Sequence, residues 1–288
     1  MARATRYSLI IFATMIWSVA AYWHWTNQSV ASAQLHFFDI GQGDAMYLRT
    51  LSGKDILIDG GPDRLLVNQL GQAMPFWDRT IEIMVLTHPH LDHVAGLVEV
   101  FNYYQVNQLV LEPVQYNNAA YEALLAVANQ QHTTIQIVHT GDTITLGPLE
   151  QFTVLYPFAE TNLTALKDVN DTSIVLRYDL ASVQPRSVLL MGDATQLVED
   201  QLLQAGLMTD VDILKVGHHG SRYSSTADFI QASQPEYAII QSGAGNSYGH
   251  PHAETLARLA PVATVLRNDQ LGTITFSIQP DGTYRQYY

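Results

Sequence analysis

A strand-length apolar run, Ile81–Leu86, ends in Thr87-His88-Pro89-His90-Leu91-Asp92-His93, and helical patterning follows over Val94–Tyr104. Four residues of metal-ligand type fall within six positions there. This feature limits the possible folds more than any other. A buried strand must stop before so polar a turn, and such a turn does chemistry only where a rigid sheet holds it in place. In an extended turn the side chains alternate, so His88 and His90 face the same way. Asp92 and His93 then open the helix and can face a second ion beside the first. Neutral imidazole with a carboxylate suits zinc, iron or manganese. The chain has no cysteine, which excludes disulfides, thiolate-held zinc and cysteine nucleophiles together.

From Gln34 onward the sequence reads as one continuous domain, 34–288, without a Ser/Gly/Pro-rich linker or a repeat. Leu35–Ile40, Ala45–Leu48, Ile56–Ile58 and Ile81–Leu86 read as strands near its start. Ser173–Tyr178, Ser187–Met191, Val211–Val216, Tyr237–Gln241, Thr264–Leu266 and Thr273–Ile278 read as strands toward its end. Helix-length segments such as Arg64–Ala73, Ala119–Gln130 and Gln196–Gln204 lie between them. Strands in runs with interspersed helices fit two packed sheets covered by helices. Residues 1–33 read differently. Arg3 and Arg6 precede an apolar run, Tyr7–Trp25, and a small-x-small pattern, Ala31-Ser32-Ala33, follows. This is the pattern of a signal peptide or a single transmembrane anchor. Both place the rest of the chain outside the cytoplasm, and an uncleaved segment would hold it to the membrane.

Other polar clusters also sit just after strands. They are Phe38-Asp39-Ile40-Gly41-Gln42-Gly43-Asp44-Ala45, Leu57-Ile58-Asp59-Gly60-Gly61, Leu190-Met191-Gly192-Asp193-Ala194, Leu214-Lys215-Val216-Gly217-His218-His219-Gly220-Ser221 and Tyr248-Gly249-His250-Pro251-His252. Together with His-x-His-x-Asp-His, this ordered set resembles the metallo-β-lactamase superfamily. Within it, the set is similar to the hydrolase domain of ComEC, the competence DNA-uptake protein, over essentially all of 34–288. The resemblance implies an α/β fold, an αββα four-layer sandwich, here preceded by an N-terminal hydrophobic helix. It implies two divalent ions, zinc or manganese, held by His88, His90, Asp92, His93, Asp193 and one or both of His218 and His219. Asp193 is implied as the bridging carboxylate. The strand end favours His218 as the second ion's ligand, with His219 the alternative. The remaining imidazole is left to touch substrate or to orient a ligand.

One departure stands out. Many superfamily members supply a third histidine to the first metal shortly before the bridging aspartate, and no histidine occurs in 140–217. Val169-Asn170-Asp171-Thr172-Ser173 occupies the place instead, so Asn170, Asp171 or water would complete that seat, with Ser173 beside it. Asp44 and Asp59 are candidates to line or support the site, while Asp39 shares their turn setting. His250 resembles the family's late histidine and would meet a leaving group or phosphate. His252 reads as a solvated loop residue, and His132 and His139 as surface residues.

Paired divalent ions supply activated water and charge neutralisation, with Asp92 or a nearby histidine moving the proton. The expected activity is a phosphodiesterase or nuclease acting on single-stranded DNA or another phosphodiester, alongside a separate membrane channel. The net charge of -13 argues against a generic polyanion binder, because affinity for nucleic acid rests on Lys and Arg. Two competing readings remain: an exported lactone, ester or β-lactam hydrolase, and a metal-binding module without turnover.

Overall fold

Side-chain alternation decides the layering. In β3 (Asp55–Ile58), Ile56 and Ile58 enter the core between two sheets, while Leu57 packs outward under helices. The first sheet has the order β15 (Tyr284–Tyr287), β14 (Ile274–Ile278), β1 (Ala33–Phe37), β2 (Met46–Arg49), β3, β4 (Thr80–Val85), β5 (Gln105–Leu111), β6 (Thr134–Ile137). The second has the order β13 (Thr264–Arg267), β12 (Tyr237–Ile240), β11 (Ile213–Lys215), β10 (Arg186–Leu190), β9 (Val175–Leu180), β8 (Glu150–Tyr156), β7 (Thr143–Thr145). Phe37, Val85, Phe152, Leu190, Ile213 and Phe276 are among the residues that fill the space between the sheets.

Helices Leu65–Ala73, Leu91–Val100 and Ala119–Gln130 cover the outer face of the first sheet through Leu70, Leu97 and Leu124. Helices Gln196–Gln204, Ala227–Ser233 and Ala253–Leu259 cover the second through Leu202, Phe229 and Leu259. This is the expected helix–sheet–sheet–helix stack. Asn118, Thr195 and Thr226 each accept a backbone N–H with the side chain and so start three of these helices.

The computed structural model describes residue 12 and residues 14–19, 32–114 and 116–288. The signal or anchor expected over 1–33 lies largely outside the described residues. Residues 14–19 are helical. No helix among the described residues is long and apolar enough to cross a membrane, so the expected N-terminal membrane helix is not supported.

Strands β3 to β6 run parallel, as do β10 to β13. The turns leaving β3, β4, β10, β11 and β12 therefore open beside one another at the carboxyl ends of their strands, where open α/β sheets commonly place their ligands.

Candidate metal centre

The turn after β3 carries Asp59, and the turn after β4 carries Thr87, His88 and His90. The helix Leu91–Val100 begins directly after His90 and presents Asp92 and His93 from its first turn. This helix must lie almost on the β3 turn. Gly60 N donates to the His93 carbonyl at 2.7 Å, Gly96 N donates to the Gly61 carbonyl at 3.0 Å, and a Cβ at Gly96 would sit 1.9 Å from the Gly60 carbonyl oxygen. Across the site, Gly43 has φ 131°, and a Cβ there would lie 2.2 Å from the Asp92 carbonyl oxygen. That close approach lets Asp44 N bond the same oxygen at 3.2 Å and drops the Asp44 carboxylate into the interior.

The turn after β10 supplies Asp193, and the one after β11 supplies both His218 and His219. These two histidines adopt left-handed backbone, with φ 47° and 53°. Two consecutive non-glycine residues there cost about 1–3 kcal/mol each, a cost typically retained where function requires it.

Three buried imidazoles converge on Asp193 Oδ2. His93 Nε2 lies 3.4 Å from it, His219 Nε2 3.2 Å and His88 Nε2 3.9 Å. Their other ring nitrogens fix which atom carries a lone pair. His93 Nδ1 donates to Asp59 Oδ2 at 2.9 Å, and His219 Nδ1 donates to the Gln241 carbonyl at 3.0 Å. The Thr87 hydroxyl donates its proton to Asp59 Oδ2 at 2.7 Å, so it accepts from His88 Nδ1 at 3.2 Å. In their neutral form His93 and His219 thus turn an Nε2 lone pair inward, while His88 Nε2 faces both Asp193 and His90 Nδ1, the latter 3.0 Å away. His93 Nε2, His219 Nε2 and Asp193 Oδ1 are buried without a hydrogen-bond partner. Buried polar atoms are rarely left so, and three nitrogen lone pairs around a carboxylate suit a divalent cation.

His88, His93 and Asp193 form one group able to hold a metal ion, and Asp92, His93 and His219 form another. Asp44, Asp193 and His219, and also Asp44, Asp59 and His93, are further groups of this kind. The residues present therefore fit bound metal.

The electrostatics carry the same demand for cations. Burial by itself lowers the His93 pKa, but the Asp193 and Asp59 carboxylates outweigh it and hold it well above the usual value. His219 is likewise raised, by Asp193 and Asp44 against burial. Burial would raise Asp193 and Asp92, yet the imidazoles of His219 and His93 hold both below the ordinary carboxylate range. Burial raises Asp59, which is wholly enclosed, and lowers His88 well below the usual value. Where protons are held this strongly between carboxylates and imidazoles, a metal ion can replace them.

Of the two adjacent histidines, the geometry brings His219 closer than His218, which the sequence favoured. The His218 Nε2 is 4.0 Å from Asp193 and its side chain is 22% exposed, whereas His219 is 2% exposed and also lies 3.4 Å from Asp92 Oδ2. Strand alternation does not reach the pair, because β11 ends at Lys215 and both histidines have left-handed backbone. His218 instead faces His250, with ring centroids 5.4 Å apart. Burial, then the neighbouring His219 and His218, pushes the His250 pKa down to about 4; burial also lowers His218. Both rings are neutral at physiological pH. His90 is half-buried, with Nδ1 3.0 Å from His88 Nε2.

In the place of the missing histidine, the three candidates separate. Asp171 points away to accept from the Thr195 hydroxyl at 2.5 Å. Ser173 Oγ accepts from Asp193 N at 3.1 Å and lies 3.3 Å from His88 Nδ1. Asn170 lines the cavity with its Oδ1 buried and unpartnered. Asp39 accepts from Gly41 N within its own turn, His252 Nδ1 accepts from Arg222 N, and neither is brought to the site. His132 and His139 also stay outside it.

Three contributors were not legible as such in the sequence. Lys215 is fully buried behind Asp193. Gln241 fixes the His219 tautomer through its carbonyl. Asn246 braces the loop carrying Tyr248 and His250: its Oδ1 accepts from both backbone N–H groups at 3.1 and 3.0 Å, and its Nδ2 donates to the His250 carbonyl at 2.5 Å. The resulting cavity, about 380 Å³, is lined by Gln42, His90, Leu91, Asp92, Asn170, Asp193, His218, His219, Tyr248 and His250.

Four-layer stack, carboxyl-end turns and His/Asp cluster agree with the family match. Residues 39–243 match the model of the metallo-beta-lactamase superfamily. The chain belongs to that superfamily, a class of metal-dependent hydrolases. It is similar to ComE operon protein 3 of Bacillus subtilis, with 30% identity across 87% of this chain and 35% of that protein. It is also similar to Competence protein ComA of Neisseria gonorrhoeae, with 27% identity across 88% of this chain and 33% of that one. The chain thus spans about a third of the length of these relatives. Among solved structures it shares its fold with the metallo-beta-lactamase fold protein YhfI from Bacillus subtilis, at a TM-score of 0.52 and 11% identity, over 88% of this chain and 99% of that one.

Proposed function

We propose that this chain is a phosphodiesterase that cuts single-stranded DNA during uptake, working with two divalent ions that share Asp193. The observation that carries the site is the convergence of three imidazole Nε2 lone pairs on one buried carboxylate. His88 and His90 would hold one ion, with Asn170 beside them; Asp92, His93 and His219 would hold the other. Bound there, the ions would supply activated water and neutralise charge on the phosphodiester. The protein's own groups do the rest. Asp59 orients His93, and Asp92 stays ionised beside His219 at the edge of the cavity. His218 and His250, both neutral, offer ring nitrogens without hydrogen-bond partners at the cavity, suited to contacts with a phosphate or a leaving oxygen.

The competence relatives support the DNA substrate. The cavity supports it over a lactone or β-lactam, because Leu91 is the one aliphatic residue in its lining and small-molecule sites are mostly apolar. No Lys or Arg lines it, so the metal ions and histidines would supply the attraction for phosphate. The basic pair Arg3 and Arg6 ahead of Tyr7–Trp25 supports a place outside the cytoplasm, beside a separate membrane channel.

The test uses the chain stripped with chelator and reloaded with manganese or zinc. It is assayed on single-stranded DNA and on a simple phosphodiester, with Asp193→Ala as blank. Metal-dependent cleavage lost in the variant is expected. Metal bound without cleavage of either substrate would overturn the reading.

A further inference from the structure

Lys215, the last residue of β11, is wholly buried. A lysine is almost never enclosed without a specific partner. This one has three neighbours. Its ammonium is paired with Asp44 Oδ2, donates to the Gly192 carbonyl at 3.0 Å and lies 4.0 Å from Asp193 Oδ1. Asp44 is also wholly buried, and its carboxylate receives no well-aligned hydrogen bond; charge holds it. Its Oδ1 lies 3.2 Å from His219 Nδ1. Lys215 therefore touches the site along two routes. One runs through Asp44 to the back of His219, and the other through the Gly192 carbonyl to the turn that aims Asp193.

We propose that Lys215 is a positioning residue for metal binding, setting His219 through Asp44 and Asp193 through Gly192. The inference rests on the metal seat described above. Carboxylates buttressing ligand histidines are a general device, as Asp59 behind His93 illustrates. Here Asp44 is itself buttressed, by a cation that the polar surroundings of an ordinary strand end would not need. Four buried or half-buried carboxylates, Asp44, Asp59, Asp92 and Asp193, crowd the centre. Lys215 is the one Lys or Arg ion-paired to any of them among the described residues. It fixes the carboxylate it touches without competing for the imidazole lone pairs.

The experiment titrates manganese calorimetrically into the chelator-stripped full chain, its Lys215→Met and Asp44→Asn variants and the double variant. Nitrogen-15 spectra of the histidine rings are recorded alongside. Metal affinity is expected to fall about 10- to 100-fold in Lys215→Met, with a displaced His219 Nδ1 signal. Because the two residues share the route to His219, the double variant should lose less than the product of the single losses. A purely structural role would lower the melting temperature and leave the affinity and the His219 signal of the folded protein unchanged, which would overturn the proposal. Fully multiplicative losses would overturn the route through Asp44. Should Lys215→Met fail to fold, the double variant removes both charges and answers the same question: wild-type affinity there refutes the proposal. A wild-type chain that takes up no manganese refutes the seat itself, and that result is seen before any variant is compared.

Discussion

Replacing Asp59 with Asn tests how the site is wired, because the substitution keeps the shape and changes only charge and donor pattern. Asp59 sits at φ 57°, a conformation Asn adopts nearly as readily as any non-glycine residue, so the backbone has no reason to move. Three donors converge on its two oxygens: Thr87 N at 2.8 Å, the Thr87 hydroxyl at 2.7 Å and His93 Nδ1 at 2.9 Å. An amide offers one acceptor oxygen and one NH2 group, which donates and does not accept. In one orientation its NH2 faces the Thr87 hydroxyl and His93 Nδ1. In the other it faces the backbone N–H of Thr87, which cannot rearrange. The first orientation is tolerable only if His93 moves its proton to Nε2, which removes the lone pair aimed at Asp193. Stranding a buried donor costs about 1–3 kcal/mol, which for a chain of this size lowers the melting temperature by roughly 2–10 °C. Loss of the orienting carboxylate weakens metal binding about 10- to 100-fold. Thermal unfolding in chelator reads the first effect, and calorimetric metal titration reads the second. An Asn variant with wild-type metal affinity would refute the tautomer argument for His93.

His219→Gln should abolish tight metal binding, with an affinity loss of about 100-fold or more, while His218→Gln changes it by no more than about 3-fold and acts on turnover; equal losses in a metal titration would return both residues to the ligand set. The second expectation concerns pH. His93 and His219 have raised pKa values, held up by Asp193 with Asp59 and Asp44 against burial. Their protonated pairs therefore stabilise the metal-free fold fully below about pH 6.5, the unfolded histidine value. That contribution is lost as pH rises through the higher folded values. Metal must displace those protons, so its affinity rises over the same window. The melting-temperature gap between loaded and chelated protein should widen from about pH 6 to about pH 8, and a constant gap would count against these two histidines as ligands.

What was legible in the sequence is what is local. His88 to His93 lie in one turn between a buried strand and a helix start, so spacing alone located the cluster, and resemblance supplied the four-layer fold. The choice between His218 and His219 was not legible, because alternation holds only in extended backbone and both residues are left-handed. Ser173 read as the start of a strand, yet β9 begins at Val175 because Ser173 turns to bond Asp193 N. Lys215 lay within the expected strand Val211–Val216 with no role assigned; its partner Asp44 comes from the opposite sheet's loops and is brought to it only by the folded stack. β15 was missed because Tyr284-Arg285-Gln286-Tyr287 is largely exposed and lacks the aliphatic alternation that marks a half-buried strand. Asn246 and Gln241 act through their hydrogen bonds to backbone or through their own carbonyl, and such roles leave no signature in residue type.

The central claim is that His88, His93 and His219 turn Nε2 onto Asp193 to bind metal. Diffraction from crystals soaked in manganese, recorded at its absorption edge, tests this most directly. The account predicts anomalous density beside Asp193 at two positions, one within bonding distance of His88 Nε2 and the other of His93 Nε2 and His219 Nε2, both lost in Asp193→Asn. Anomalous density absent from those positions in crystals that hold manganese elsewhere, or density ligated by His218 in place of His219, would contradict it.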